Sequence, residues 1–169
     1  REQGYQGHAE YETVAAVKRA LSIPVVANGD IDSPAKAKAV FDATGADAIM
    51  IGRAAQGRPW IFGEIAHFLA TGKLAPPPRV ADVKQWLLEH LDDHYGLYGE
   101  YAGVRTARKH IGWTLRGLPG GEDFRAEMNI FESCEQQARE VGAWFDRLAD
   151  VMPFMPAPPA PHAEARAAA

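Results

Sequence analysis

Two short apolar runs end in residues suited to gripping a phosphate. Pro24-Val25-Val26-Ala27 leads into Asn28-Gly29-Asp30, and Ala48-Ile49-Met50-Ile51 leads into Gly52-Arg53. A phosphate needs backbone N–H donors at close range and a cation beside them. Glycine lets the backbone approach, and an arginine guanidinium makes a two-point contact with phosphate oxygens. Asn28, Gly29 and Asp30 offer one set of donors and acceptors; Gly52 and Arg53 offer the glycine and the cation. Either motif alone also reads as a plain strand-to-helix turn with Asn or Asp capping. Both together, on neighbouring strand ends, favour a ligand site.

A second group of residues has a different chemistry. Residues 103–116 hold Arg105, Arg108, Lys109 and Arg116 and no acidic residue. At 100° per residue, Arg105, Lys109 and Arg116 fall within about a 40° arc of one helix face. Gly112 lies at the edge of that arc, where a missing side chain would admit a phosphate, and Trp113 sits just past it, placed to stack on a base or sugar. Arg108 lies toward the apolar stripe, reaching out from the domain interface. Such a face suits RNA backbone binding; the plainer reading is a solvated charged face with a packed tryptophan. His90 and His94 have i, i+4 spacing, but no zinc signature or cysteine pair accompanies them or His110, so no metal site is expected. Cys134, between Glu132 and Glu135, is read as a packing or surface thiol, because nearby acids raise a thiol pKa.

The elements that must carry these residues follow from periodicity. Continuous apolar runs read as parallel strands buried on both faces, and the helical pattern between them makes a βαβ unit. Ser33 is a good N-cap with Pro34 at the first helical position, and Gly45 supplies the stop. Ile61, Ile65 and Phe68 mark a helix over 60–71. Pro76-Pro77-Pro78 is a stiff linker. Beyond it, Val80, Val83, Leu87, Leu91 and Tyr98 form one apolar stripe, and Val104, Ala107, Ile111, Leu115 and Leu118 form another. Two more helices are expected over about 122–132 and 133–149, the latter burying Val141, Trp144, Phe145 and Leu148. Short connections among these helices suggest a small helical bundle. The expected division is 1–75 for βα units, 79–150 for the helical domain and 151–169 for a disordered tail rich in Pro and Ala.

The 169 residues carry a net charge of −4, which excludes bulk electrostatic attraction to nucleic acid, so any RNA site must be a local patch. A single cysteine excludes an intramolecular disulfide framework. No secretory signal or membrane-spanning run is present, and a cytoplasmic location is expected. In a (β/α)₈ barrel the loops after strands seven and eight often bind a phosphate, but a complete barrel needs roughly 200–250 residues or more. The chain opens on Arg1 rather than methionine, so it reads as the C-terminal piece of a longer protein.

Three runs are more specific. Ile23 to Ile31, Gly45 to Phe62 with its Gly57-Arg58-Pro59-Trp60-Ile61-Phe62 extension, and Arg105 to Trp113 resemble segments of the tRNA-dihydrouridine synthases, nearest the bacterial B-type enzymes. The resemblance reaches to about Leu148. It implies a fold of the α/β plus all-α class: the C-terminal part of a TIM barrel followed by a helical tRNA-binding domain. It also implies FMN as cofactor, NADPH as reductant, tRNA as substrate and reduction of the uridine C5–C6 bond. Carried over, Asn28, Gly29 and Asp30 contact FMN after strand seven, Gly52 and Arg53 hold its phosphate after strand eight, and Arg1 ends the loop after strand six. Arg105, Arg108, Lys109, Trp113 and Arg116 face RNA. The family's proton-donor cysteine belongs to the barrel's earlier half and has no counterpart here, so the chain alone is expected to be inactive. The alternatives are another FMN-dependent barrel oxidoreductase acting on small metabolites, and a non-catalytic RNA-binding module.

Overall fold

A computed structural model of the chain describes residues 9–157. Arg1, and the part of the expected tail from 158 to 169, lie outside the described residues. The chain divides between Ala75 and Pro76 into two compact units.

In the first unit the order is α1 (Glu12–Ala20), β1 (Val26–Asn28), α2 (Pro34–Thr44), β2 (Ala48–Met50), a single 3₁₀ turn (Arg53–Ala55) and α3 (Ile61–Thr71). The Ser33 hydroxyl accepts from the Lys36 N–H at 3.3 Å, Pro34 occupies the first turn of α2, and Gly45 ends it in the left-handed conformation. Each of these is a local device that starts or stops a helix without tertiary help. The strands pair in parallel, Val26 with Ala48, Ala27 with Ile49 and Asn28 with Met50, so α2 is the crossover of a βαβ unit.

Ala27, Ile31, Ala37, Val40, Ala46, Ile61 and Ile65 form the core on the helix-covered face. The other face differs from the sequence expectation of strands buried on both sides. Val26 is 51% and Met50 58% exposed, because side chains alternate across a strand and no described element covers that side.

The register is pinned by Asp47. Its carboxylate accepts from the Val25 N–H at 2.7 Å and from Lys18 Nζ at 2.6 Å, which ties α1 and β1 to the start of β2. The loops beyond the strands are pinned by Arg58. It pairs with Glu64 on α3, with both side chains largely buried, and donates to the Asp32 carbonyl at 3.3 Å.

The second unit holds α4 (Val80–Leu115), α5 (Gly121–Glu127), a 3₁₀ turn (Met128–Ile130) and α6 (Cys134–Val151). Within α4, Gly99 adopts φ 68° and ψ 177°, so the chain breaks there into two helical arms. Glycine tolerates that conformation; an L side chain does so poorly. Val80, Val83, Leu87 and Leu91 on the first arm are buried, as are Val104, Ala107, Ile111 and Leu115 on the second, against Val141, Trp144, Phe145 and Leu148 of α6. Tyr98 leaves its expected stripe: it is 53% exposed because the break at Gly99 ends the helical repeat beside it.

The tail expected from 151 is also corrected over its first residues. Met155 is buried, its N–H donates to the Pro78 carbonyl at 2.9 Å, and Val80 N–H donates to the Pro153 carbonyl at 3.0 Å. Two backbone bonds and one buried side chain order a segment that composition alone marked as loose.

Candidate functional site

Parallel pairing of Asn28 with Met50 puts the two glycine-bearing turns side by side. Asn28 Nδ2 donates to the Met50 carbonyl at 3.0 Å and closes the ladder at that end. Gly29 has φ 126°, and a Cβ there would stand 2.5 Å from Ala9 Cβ. Its carbonyl accepts from the Tyr11 hydroxyl. Burial, then the negative charges of Asp30 and Asp32, hold the Tyr11 pKa above its ordinary value, so the hydroxyl stays a donor.

The Asp30 carboxylate is exposed and is engaged by two groups of the chain itself. Its carboxylate accepts from the Ala9 N–H at 2.7 Å and pairs with the Arg53 guanidinium at 3.0 Å. That ion pair links the two predicted motifs directly. Arg53 nonetheless keeps 61% of its side chain exposed, and among the described residues, its chain neighbours aside, nothing lies within 4 Å of a Cβ built on Gly52. An open backbone beside an exposed, oriented cation is what an anionic group requires. Arg58, inside the family-like Gly-Arg-Pro-Trp run, was not singled out from the sequence; its partners make it a strut.

Arg105 and Lys109 lie on the second arm of α4, and Arg116 is its C-cap with non-helical backbone. Arg105, Lys109 and Arg116 are exposed as expected. Arg105 lies over the Tyr101 ring at 3.7 Å and donates to the Tyr101 carbonyl at 3.0 Å, and Lys109 lies over the Trp113 ring at 4.7 Å. Each cation is therefore held against an exposed or half-buried aromatic face. Arg108 differs: its guanidinium turns inward and donates to the Phe131 carbonyl at 3.0 Å, with Nε buried and lacking a partner.

Gly112 is buried and does not open a path for a phosphate. A Cβ there would meet Arg125 Nε at 3.3 Å, so the space is taken by a side chain from α5. Arg125 is itself exposed and brings a further cation beside the stripe. Sequence periodicity within one helix carries no signal for it, because it arrives from another element.

Cys134 has a raised pKa, but the main cause is burial and the second is Glu100, not the Glu132 and Glu135 that flank it in sequence. Burial also lowers the pKa of His94 and of His110, with the neighbouring histidines, and for His110 also Lys109, adding to it. No helix among the described residues is long and apolar enough to cross a membrane.

Comparison with known proteins bears on the family of the chain. The family model described as dihydrouridine synthase matches residues 1–149. The chain is 57% identical over 148 residues to the tRNA-dihydrouridine synthase B of Xanthomonas axonopodis pv. citri, covering 88% of this chain and 45% of that one. It is 55% identical over 141 residues to the protein of that name from Pseudomonas putida, covering 83% and 42%, and 50% identical over 145 residues to that of Klebsiella pneumoniae, covering 86% and 45%. The chain thus spans under half the length of these curated relatives.

Proposed function

The chain belongs to the dihydrouridine synthase family, and on that premise we propose that it serves in a flavin-dependent, tRNA-reducing enzyme. In this reading the first unit is part of an FMN-binding TIM barrel and the second is the helical tRNA-binding domain. The observation that carries it is the pairing of two features in one chain. One is the strand-end site where Asp30 orients Arg53 beside the open Gly52 backbone; the other is the cation-on-aromatic stripe of α4.

The residues present fit a flavin mononucleotide. Gly52 leaves room for the phosphate, Arg53 supplies its charge complement, and Asn28, Gly29 and Asp30 shape the adjoining turn. FMN, recharged by NADPH, supplies the hydride that reduces the uridine C5–C6 bond when it is bound. Arg53 neutralises the phosphate, while Asp30 holds the guanidinium in place through its second anchor on Ala9. Arg105, Lys109 and Arg116, with Arg125 alongside, contact the RNA backbone, and Tyr101 and Trp113 offer faces for a base or sugar. Arg108 supports this surface from below through Phe131.

Reduction also needs a proton at the second ring carbon. Cys134, with its pKa raised, is a poor candidate for that role, and the chain by itself is expected to form no dihydrouridine.

The test is binding of unmodified tRNA to the chain over a range of salt. Replacing both Arg105 and Lys109 by alanine should weaken binding and flatten the log K against log salt slope by about two, roughly one per lost phosphate contact. Arg53→Ala should leave tRNA affinity unchanged and weaken FMN binding. Unchanged tRNA affinity in the double variant overturns the assignment of the face. tRNA binding with no FMN affinity would favour the RNA-binding-module reading instead.

A further inference from the structure

Three histidines from the two arms of α4 meet in the second unit. His90 and His94 sit one turn apart on the first arm, and the break at Gly99 brings the second arm back so that His110 faces them. Their ring centroids are 5.0 Å apart for His90 and His110, 5.3 Å for His94 and His110, and 6.1 Å for His90 and His94. One ligating nitrogen from each lies within 4.8 Å of the others. A tetrahedral zinc ion at about 2.0–2.1 Å from each nitrogen wants these atoms about 3.3 Å apart, so the rings need to close by at most about 1.5 Å. Rotation of the exposed His90 and half-buried His110 side chains toward the buried His94 would close that distance.

The hydrogen bonds around His94 prepare it as a ligand. The Thr106 hydroxyl donates its proton to the Ala102 carbonyl at 2.7 Å. With that proton directed at the carbonyl, the hydroxyl accepts at its 2.7 Å contact with His94 Nε2 in the tautomer that carries the ring proton on Nε2. Nδ1 keeps its lone pair. A ring nitrogen that donates to a fixed neighbour while the other carries the lone pair is the usual support of a metal-bound histidine. His94 is buried, which fixes its ring, and His90 is exposed, which gives an ion access from solvent.

We infer that His90, His94 and His110 form a three-imidazole site for a divalent transition-metal ion, zinc in the first instance, that clamps the two arms of α4 across the Gly99 break. Three neutral imidazoles suit zinc, cobalt and nickel, and a fourth position remains for water or an exogenous ligand. The sequence argued against such a site because no zinc signature or cysteine pair accompanies His90, His94 and His110. The chain reversal brings the three together. The inference does not depend on the proposed flavin or RNA chemistry, and His110 meets the Trp113 ring edge-on with centroids 5.3 Å apart.

The test uses the 169-residue chain without a histidine tag, stripped of metal by a chelator. Titration with cobalt(II) should give a visible d–d band saturating at one ion per chain, which zinc then displaces. His90→Ala should weaken the affinity at least about tenfold, and His94→Ala and His110→Ala should do the same. His67→Ala and Cys134→Ser should leave it unchanged. Zinc should raise the melting temperature of the parent chain and not of His90→Ala. Because His90 is exposed, its variant keeps the fold, which circular dichroism checks, and it decides the question even where the His94 variant fails to fold. Absence of the cobalt band, or binding that survives His90→Ala or is lost with Cys134→Ser, overturns the proposal.

Discussion

Gln137→Leu tests how the basic arm of α4 is held. Gln137 is fully buried on α6. Its Oε1 accepts from the Tyr95 hydroxyl at 2.7 Å and its Nε2 donates to the Val104 carbonyl at 3.2 Å, so one amide ties both arms of α4 to α6 just beside Arg105. Leucine roughly preserves volume but removes both partners. The Val104 carbonyl keeps its place in the helix, whereas the half-buried Tyr95 hydroxyl loses its acceptor. An orphaned buried polar group costs about 1–3 kcal/mol, which sets the expected loss at about 2 kcal/mol. Tyr95→Phe alone orphans the amide oxygen and should cost about 1–2 kcal/mol. The double variant removes the donor and acceptor together and should cost less than the sum of the singles by at least about 1 kcal/mol.

Burial, with Cys134 a lesser cause, raises the Tyr95 pKa well above its ordinary value. The contribution of this hydroxyl is therefore fully present below about pH 10 and is lost only as the pH rises toward the raised value. The assay is urea unfolding at neutral pH followed by tryptophan fluorescence, since Trp144 lies in the same core. Strict additivity of the two substitutions, or a loss below about 0.5 kcal/mol for Gln137→Leu, would refute the reasoning.

Two glycines at the strand ends should respond differently to alanine. Gly29→Ala meets both a positive φ and Ala9 Cβ at 2.5 Å, so it should destabilise the first unit by about 1–3 kcal/mol in chemical unfolding. Gly52→Ala meets no atom and should leave stability nearly unchanged while weakening FMN binding, read by flavin fluorescence quenching. Asp47 has a lowered pKa, caused first by its bond to Lys18 and then by the Val25 N–H. Its contribution is present above the unfolded value of about 3.9 and is lost as the pH falls through the lower folded value. Melting temperatures of the parent and of Asp47→Asn should therefore differ at pH 6 and converge as the solution is acidified toward pH 3.

Much of the local architecture was legible because local physics writes it. Ser33, Pro34 and Gly45 bound α2 by capping and backbone preference alone, and the apolar runs that end in Asn28-Gly29-Asp30 and Gly52-Arg53 announce parallel strands. The stripe from Val104 to Leu115 names the buried face of its helix because a period of 3.6 is a property of one segment. The same periodicity expects Arg105 and Lys109 on the solvent side of that helix, where both are exposed; Arg116 is exposed at the C-cap, past the last helical residue.

What faces each element is a different matter, because the partner comes from far along the chain. Only the pairing of β1 with β2 brings Asp30 to Arg53, and only Ala9 shows that the carboxylate is anchored from behind. Arg108 lies on the same arm of α4 as Arg105 and Lys109, yet the Phe131 carbonyl draws it inward. Gly112 looked open from its own helix and is covered by Arg125 of another. His110 joins His90 and His94 because a single glycine turns the chain back, a long-range consequence that no spacing within one helix encodes.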